Sequence, residues 1–313
     1  MRIGMGARPA GFALISRFAI FLIGPAAAGD QGLACFAPDA TAAQRIAACS
    51  ALAADTARPP EIRADALAAR AAVELREGDP AAAIVDDTAA LELSPRDASL
   101  LIARADAEAS HDPAAAEKDL TAALARDAAN AKAYLARGIL RLKRGATTDA
   151  IADFIAARRL TPADTDVLAR LGAADLRADR NAEAIEVFTA ILRLQPSDIA
   201  ALNGRATAYG RSGNLAAAGA DFSTILSLDP GNRDALMGRA VASLQAADTT
   251  AAIADFTRVL ARDPSDAEAL FDRGAAEARA GHRQDAVNDF ERAQRIRPDD
   301  PDIRAALVAL QSK

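Results

Sequence analysis

The sequence contains few of the residue types on which enzymes and metal proteins depend. Its 313 residues include two histidines and two cysteines, and it has no glycine-rich phosphate loop, nucleophile motif or metal-spaced Cys/His cluster. His111 and His282 both fall in predicted turns, where an exposed turn residue is the ordinary role. Acidic residues recur with a fixed spacing, which indicates solvated faces and helix caps rather than a catalytic carboxylate pair. We therefore expect no enzymatic activity, no metal and no cofactor.

Large aromatic side chains and positive charge are also scarce. Tryptophan is absent, aromatic residues make up 4% of the chain, and the formal net charge is -6. Alanine-rich helices with few bulky residues pack closely, so stability must come from repeated contacts between neighbours rather than from one large core. A protein that binds the phosphate backbone would normally carry a basic patch. We expect no nucleic-acid partner.

Long apolar runs are missing as well, since a bilayer-spanning helix needs about 20 apolar residues. The first 28 residues have the order of a secretory signal peptide, with basic residues, a short apolar run and small residues before a cleavage point after Ala28. These are Arg2, Arg8 and Arg17, residues 18–23 and residues 26–28. The alternative is a membrane anchor, but Arg17 shortens the apolar run too far. We predict a periplasmic or secreted chain without stable membrane insertion after cleavage.

Both cysteines follow shortly after the predicted cleavage point. An even number of cysteines in an exported chain indicates a disulfide, here between Cys35 and Cys49. A loop of about 15 residues closed in this way is stabilised by about 3 kcal/mol in the chain-entropy model. Two alternatives stay open: Cys49 is a small core residue with Cys35 free, or Cys35 is a lipidation site, although residues 32–34 fit a lipidation motif poorly.

A repeat of about 34 residues runs from residue 64 to residue 300. Each unit predicts two helices: the first has a large apolar residue followed four positions later by a small one, and the second has an alanine followed by a phenylalanine and a closing proline. Glycines mark the turn between the helices. The units are 64–97, 98–130, 131–164, 165–198, 199–232, 233–266 and 267–300, with turn glycines at Gly78, Gly145, Gly213 and Gly281.

These columns resemble the tetratricopeptide repeat family, in an exported bacterial form. The resemblance implies an all-α fold, a right-handed superhelical solenoid of helical hairpins. Two units depart from the pattern, since the second lacks the proline and the first has Asp87 in place of phenylalanine. Residues 29–63, with a lone helix, and residues 301–313 are predicted to cap the two ends.

An arginine in the first helix and an aspartate in the second change together from unit to unit. Six units carry both, whereas the fourth unit has Leu171 and Val187. This covariation predicts structural ion pairs across each hairpin, the alternative being unrelated surface charges in duplicated units. The predicted pairs are Arg70 with Asp86, Arg104 with Asp119, Arg137 with Asp153, Arg205 with Asp221, Arg239 with Asp255, and Arg273 with Asp289.

The resemblance also implies a binding surface, because in this family the first helices line a concave groove that receives peptides or helices. On this chain the implied lining is mostly small and apolar, which suits a hydrophobic or amphipathic segment. The groove candidates are Lys132, Leu135, Ile139, Asn203, Met237, Val241, Leu244 and Phe271.

Two functions follow from the sequence. The first is a non-enzymatic scaffold or adaptor that binds a protein or peptide in its groove and acts in the cell envelope. The second is a self-associating scaffold whose groove is filled by its own chain or by another copy. The identity of the partner and the oligomeric state are left open by the sequence.

Overall fold

The computed structural model describes residues 34–311, and within that range the secondary structure is helical throughout, with no strand. The predicted signal peptide at residues 1–28 lies outside the described part. The chain divides into two compact units, at residues 1–95 and 96–313. Each unit is described by itself below.

The first unit contains α1 (Ala42–Ala54), α2 (Pro60–Arg76) and α3 (Pro80–Leu93). Thr41 and Gln44 form a capping box that fixes the start of α1. Before it, residues 34–36 form a helical turn that a disulfide between Cys35 and Cys49 joins to α1. Both cysteines are fully buried and pack with Ala48, Leu52 and Ala66. The predicted disulfide is therefore present, and it holds the start of this unit.

The second unit is a succession of antiparallel helices, each packed on the next. They are α4 (Ala98–Glu108), α5 (Pro113–Arg126), α6 (Ala131–Lys143), α7 (Thr147–Leu160), α8 (Thr165–Arg177), α9 (Asn181–Leu194), α10 (Ile199–Arg211), α11 (Leu215–Leu228), α12 (Arg233–Gln245), α13 (Thr249–Arg262), α14 (Ala267–Ala280), α15 (Arg283–Ile296) and α16 (Pro301–Gln311). The predicted all-α hairpin fold is confirmed. None of the described helices has both the length and the apolar character needed to cross a bilayer.

Acidic and amide side chains begin most of these helices. The side chain of Asp198 accepts a hydrogen bond from the backbone N–H of Ala201, and Asp266 does the same with Ala269. Such caps satisfy backbone donors that have no partner inside the helix. Many of the recurring acidic residues are thus helix caps, as the sequence predicted.

Six of the seven hairpin turns contain a left-handed residue, and Gly78 (φ 87°) is the one in the first unit. Gly145, Gly213 and Gly281 have φ values of 82°, 79° and 86°. Two hairpins reach the same conformation without glycine, at Asp179 (φ 54°) and Ala247 (φ 64°). A residue with a Cβ pays a conformational cost there, so these two turns are locally strained.

The recurring phenylalanine fills the space left by the small residue of the first helix. A Cβ placed on Gly138 would lie 2.6 Å from the Phe154 ring, and one on Gly172 would lie 2.8 Å from Phe188. Phe188 also lies against Gly204 of the following hairpin. Each ring therefore sits where two helices approach too closely for a larger residue.

Candidate functional site

The structure brings together all six predicted arginine and aspartate pairs, five of them in the second unit and one in the first. In each pair the guanidinium donates two hydrogen bonds to the carboxylate, as in Arg205 to Asp221 at 2.8 and 2.7 Å. The aspartates are almost fully buried, with Asp221 6% exposed, while the arginines remain partly accessible. Bonding to Asp221 raises the pKa of Arg205, because the carboxylate stabilises the charged guanidinium. The pairs lie inside the hairpins as structural contacts.

A third residue completes five of these six contacts, and sequence reasoning missed it. The remaining guanidinium nitrogen donates to a hydroxyl of the helix before the hairpin, as from Arg205 to Thr189 at 3.2 Å and from Arg273 to Thr257 at 3.1 Å. In four of the five contacts the hydroxyl lies 16 residues before the arginine, and that spacing was the signal available in the sequence; Ser50 lies 20 residues before Arg70. The other contacts of this kind are Arg70 with Ser50, Arg137 with Thr121, and Arg239 with Ser223. Each of these five arginines thus joins its own hairpin to the preceding helix. We call the arginine, its aspartate and the hydroxyl residue the brace.

The fourth hairpin replaces every member of the brace with an apolar residue. Leu171 and Val187 are both 2% exposed and belong to the hydrophobic core. The residue in the hydroxyl position is Ile155. Since charged and apolar versions occupy equivalent positions, the brace behaves as one unit of three residues.

The first helices of successive hairpins also contact one another in the second unit. Contacts join α6 to α8, α8 to α10 and α10 to α12, in addition to those between consecutive helices. Between α12 and α14, Arg233 donates to Asp266 at 2.6 Å and to Glu268 at 2.7 Å. The first helices therefore form a continuous layer, and its outer surface is the candidate binding face.

The predicted groove residues on α6 and α10 differ in accessibility. Lys132 and Asn203 are exposed. Leu135 and Ile139 are partly buried and pack against the core. These apolar side chains offer part of their surface to a partner and part to the fold.

The predicted groove residues on α12 and α14 form the more open apolar area. Val241 is 39% exposed, and Leu244 and Phe271 are partly buried against the core. Met237 is buried, so its side chain contributes to the core rather than to an open surface. Phe271 also packs against Phe290, with ring centroids 5.5 Å apart. We call Val241, Leu244 and Phe271 the apolar patch.

A partly buried carboxylate lies next to this patch along α14. Asp272 follows Phe271 on α14, and no hydrogen bond or ion pair reaches its side chain within residues 34–311. Burial, together with the negative charges of Glu268 and Asp266, raises the pKa of Asp272 to about 6, although the charge of Arg233 lowers it. Desolvation by burial also raises the pKa of Asp106 on α4, against the opposing charge of Lys132. A cation brought by a partner would relieve the cost at Asp272.

Some exposed arginines at the ends of first helices bond to carbonyl oxygens there. Arg211 donates to the carbonyl of Leu176, and Arg76, in the first unit, donates to that of Ala72. Both contacts satisfy helix C-terminal acceptors. They account for these arginines without a ligand.

The repeated hairpins are matched by a known protein family. The tetratricopeptide repeat family profile matches residues 100–165, 135–199, 169–233, 203–256 and 237–301. These segments cover more than half of the chain, which therefore belongs to the tetratricopeptide repeat family. No curated protein sequence matches it.

Several solved structures share the fold. The C-terminal part of a tetratricopeptide repeat-containing protein from Cytophaga hutchinsonii is 18% identical, with a TM-score of 0.63 over 76% of this chain and 98% of that one. PilW, described as a widely conserved type IV pilus biogenesis factor, is 20% identical, with a TM-score of 0.56 over 67% of this chain and 98% of its own. YrrB, described as having an unusual peptide-binding site, is 22% identical, with a TM-score of 0.54 over 59% and 95%. At these identities the likeness shows the fold.

Proposed function

We propose that this chain is a non-enzymatic scaffold that binds a segment of another protein on the face formed by its first helices. The observation that carries the proposal is the apolar patch of Val241, Leu244 and Phe271 beside the unpaired Asp272. Aliphatic and aromatic surface next to a lone carboxylate fits a partner that is apolar on one side and carries a cation. An amphipathic helix or extended segment with a lysine or arginine has that chemistry.

The rigidity of the scaffold supports this function. Within the second unit, braces and buried phenylalanines fix the fifth, sixth and seventh hairpins against their neighbours, so the patch is formed before a partner arrives. Binding to a preformed surface avoids the entropic cost of ordering it. The peptide-binding site described for YrrB is a property of that protein and gives a precedent for the fold.

We also propose that the protein acts in the cell envelope, in the periplasm or after secretion. The disulfide between Cys35 and Cys49 supports an oxidising compartment. The order of residues in the first 28 positions supports export. PilW, which shares the fold, is described as a type IV pilus biogenesis factor.

A pair of synthetic peptides tests the proposed surface. One is an amphipathic helix with leucines on one face and lysines on the other, and the second replaces every lysine with glutamate. We expect the lysine peptide to bind the full chain more tightly in fluorescence anisotropy. Leu244→Ala with Phe271→Ala should weaken it by at least about tenfold, since two buried apolar contacts are lost.

Leu228→Ala is the matched control, because Leu228 is an exposed apolar residue at the end of a second helix, 48% accessible. This variant should bind the lysine peptide as the unmodified chain does. Equal binding of both peptides, or equal affinity of the patch variant and the control, would contradict the proposal. Light scattering on the same samples tests self-association. A stable dimer that the patch variant no longer forms would show that the patch binds a second copy of the chain.

A further inference from the structure

The turn between α14 and α15 gathers three side chains of metal-ligand type. Ligand atoms of Glu277, His282 and Asp285 all lie within 4.8 Å of one another. Glu277 belongs to the last turns of α14, His282 is the N-cap of α15, and Asp285 lies in the first turn of α15. The hairpin turn thus brings together one imidazole and two carboxylates from both of its helices.

The fourth hairpin has a different set of residues at the same three positions of its turn. There the residues are Asp175, Arg180 and Glu183, each 102 residues before its counterpart, three repeat lengths of about 34. The Arg180 guanidinium lies 3.3 Å from Asp175 and 3.0 Å from Glu183. In that turn a positive group therefore sits between the two carboxylates.

In the seventh hairpin a histidine takes the position of that arginine. His282 Nδ1 lies 2.6 Å from Glu277 Oε2, and the imidazole is largely exposed. Arg273 acts electrostatically on Glu277 and Asp285, but its guanidinium is already bonded to Asp289 at 2.7 and 2.8 Å. An imidazole does not carry the permanent positive charge that the Arg180 guanidinium supplies in the fourth hairpin.

We propose that Glu277, His282 and Asp285 bind one divalent transition-metal ion of the Zn²⁺ type. An imidazole with two carboxylates is a ligand set that such ions accept, with water in the remaining positions. Ligands around tetrahedral zinc lie about 3.3 Å apart, given bond lengths of about 2.0–2.2 Å. The exposed His282 ring can rotate away from Glu277 by the small distance required. The ion would fasten the turn that joins α14, which carries Phe271, to α15.

Isothermal titration of the full chain, without a polyhistidine tag, with ZnCl₂ tests the site at neutral pH. We expect one ion per chain. His282→Ala should lower the affinity at least about tenfold, and Asp285→Asn should lower it as well. Zn²⁺ should also raise the unfolding temperature of the unmodified chain, because it binds the folded state.

The chain supplies its own control in His111, the second of its two histidines. His111 lies in the turn before α5, where its ring contacts Ser110, and His111→Ala should bind Zn²⁺ unchanged. Both histidines are exposed, so circular dichroism should show both variants folded. Absence of saturable Zn²⁺ binding by the unmodified chain, or equal binding by the His282→Ala and His111→Ala variants, would overturn the proposal.

Discussion

The fourth and fifth hairpins have the same helical hairpin fold, but their two helices are joined by an apolar contact in one and by an ion pair in the other. In the fifth hairpin, Arg205 and Asp221 form a bidentate ion pair supported by Thr189. In the fourth, Leu171 and Val187 occupy the equivalent positions and are buried in the core. A buried ion pair and a buried apolar pair can therefore hold the same hairpin geometry, provided that both partners change together.

The fourth hairpin contains a buried carboxylate whose desolvation costs free energy. Asp175 on α8 is 1% exposed, and its Oδ1 accepts no hydrogen bond among the described residues. Burial raises the pKa of Asp175 to about 6, against the opposing charge of Arg180. The fifth hairpin carries Tyr209 at the equivalent position, where it lies near Arg205. The fourth hairpin thus buries an acidic group that the fifth does not have.

The largest effect is expected from breaking the brace of the fifth hairpin on one side. Arg205→Leu leaves the Asp221 carboxylate buried without its counter-charge and should cost about 3 kcal/mol of unfolding free energy. Arg205→Leu combined with Thr189→Ile and Asp221→Val reproduces the fourth hairpin and should recover most of that loss. Urea unfolding of the variants measures both values, and additive losses would contradict a shared contact.

A smaller effect is expected at Asp175. Its pKa is higher in the folded chain than the ordinary value of 3.8, so the folded state binds more protons between about pH 4 and 6. Asp175→Asn should therefore stabilise the chain by about 2 kcal/mol at neutral pH, and the difference should shrink as the pH falls from about 6 to about 4. Asp272 titrates in both proteins and cancels from the comparison. A difference that does not change with pH would show that the Asp175 carboxylate is not desolvated.

The packing of Phe188 can be tested by replacing two glycines with alanine, one beside the ring and one away from it. An alanine Cβ at Gly172 would lie 2.8 Å from the ring, and displacing the ring should outweigh the better helix propensity of alanine, with a net loss of about 1 kcal/mol. Gly219 on α11 has open space at its Cβ position. Gly219→Ala should instead stabilise the chain by up to about 1 kcal/mol, and thermal unfolding should show opposite signs.

The smallest effect is expected in the turns. Asp179 adopts φ 54° where the fifth hairpin has Gly213, so Asp179→Gly should gain about 0.5 kcal/mol in chemical unfolding. The exposed ion pair of Asp179 with Arg211 contributes little and offsets part of this gain. Ala247→Gly lacks that offset and should gain more. A loss in both variants would show that the left-handed conformation is not strained.

The repeat, the turn glycines and the ion pairs were predictable because each is a column of the sequence with one residue type and a direct physical role. The hydroxyl of the brace was missed because both serine and threonine occur at this position, and because the residue precedes the unit that contains the arginine. The left-handed conformations of Asp179 and Ala247 were missed because only a glycine at this position indicates positive φ in the sequence. The burial of Met237 depends on its rotamer and neighbours, which periodicity does not report.

Site-specific photo-crosslinking tests the central claim that the face of α12 and α14 binds another protein. A photoreactive residue replaces Val241 in one protein and Leu228 in the control, and each purified full chain is irradiated in cell-envelope extract. We predict adducts with a partner protein at position 241 that are absent at position 228 and are competed by the lysine peptide. Equal adducts at both positions, or adducts at position 241 only between two copies of this chain, would contradict the account.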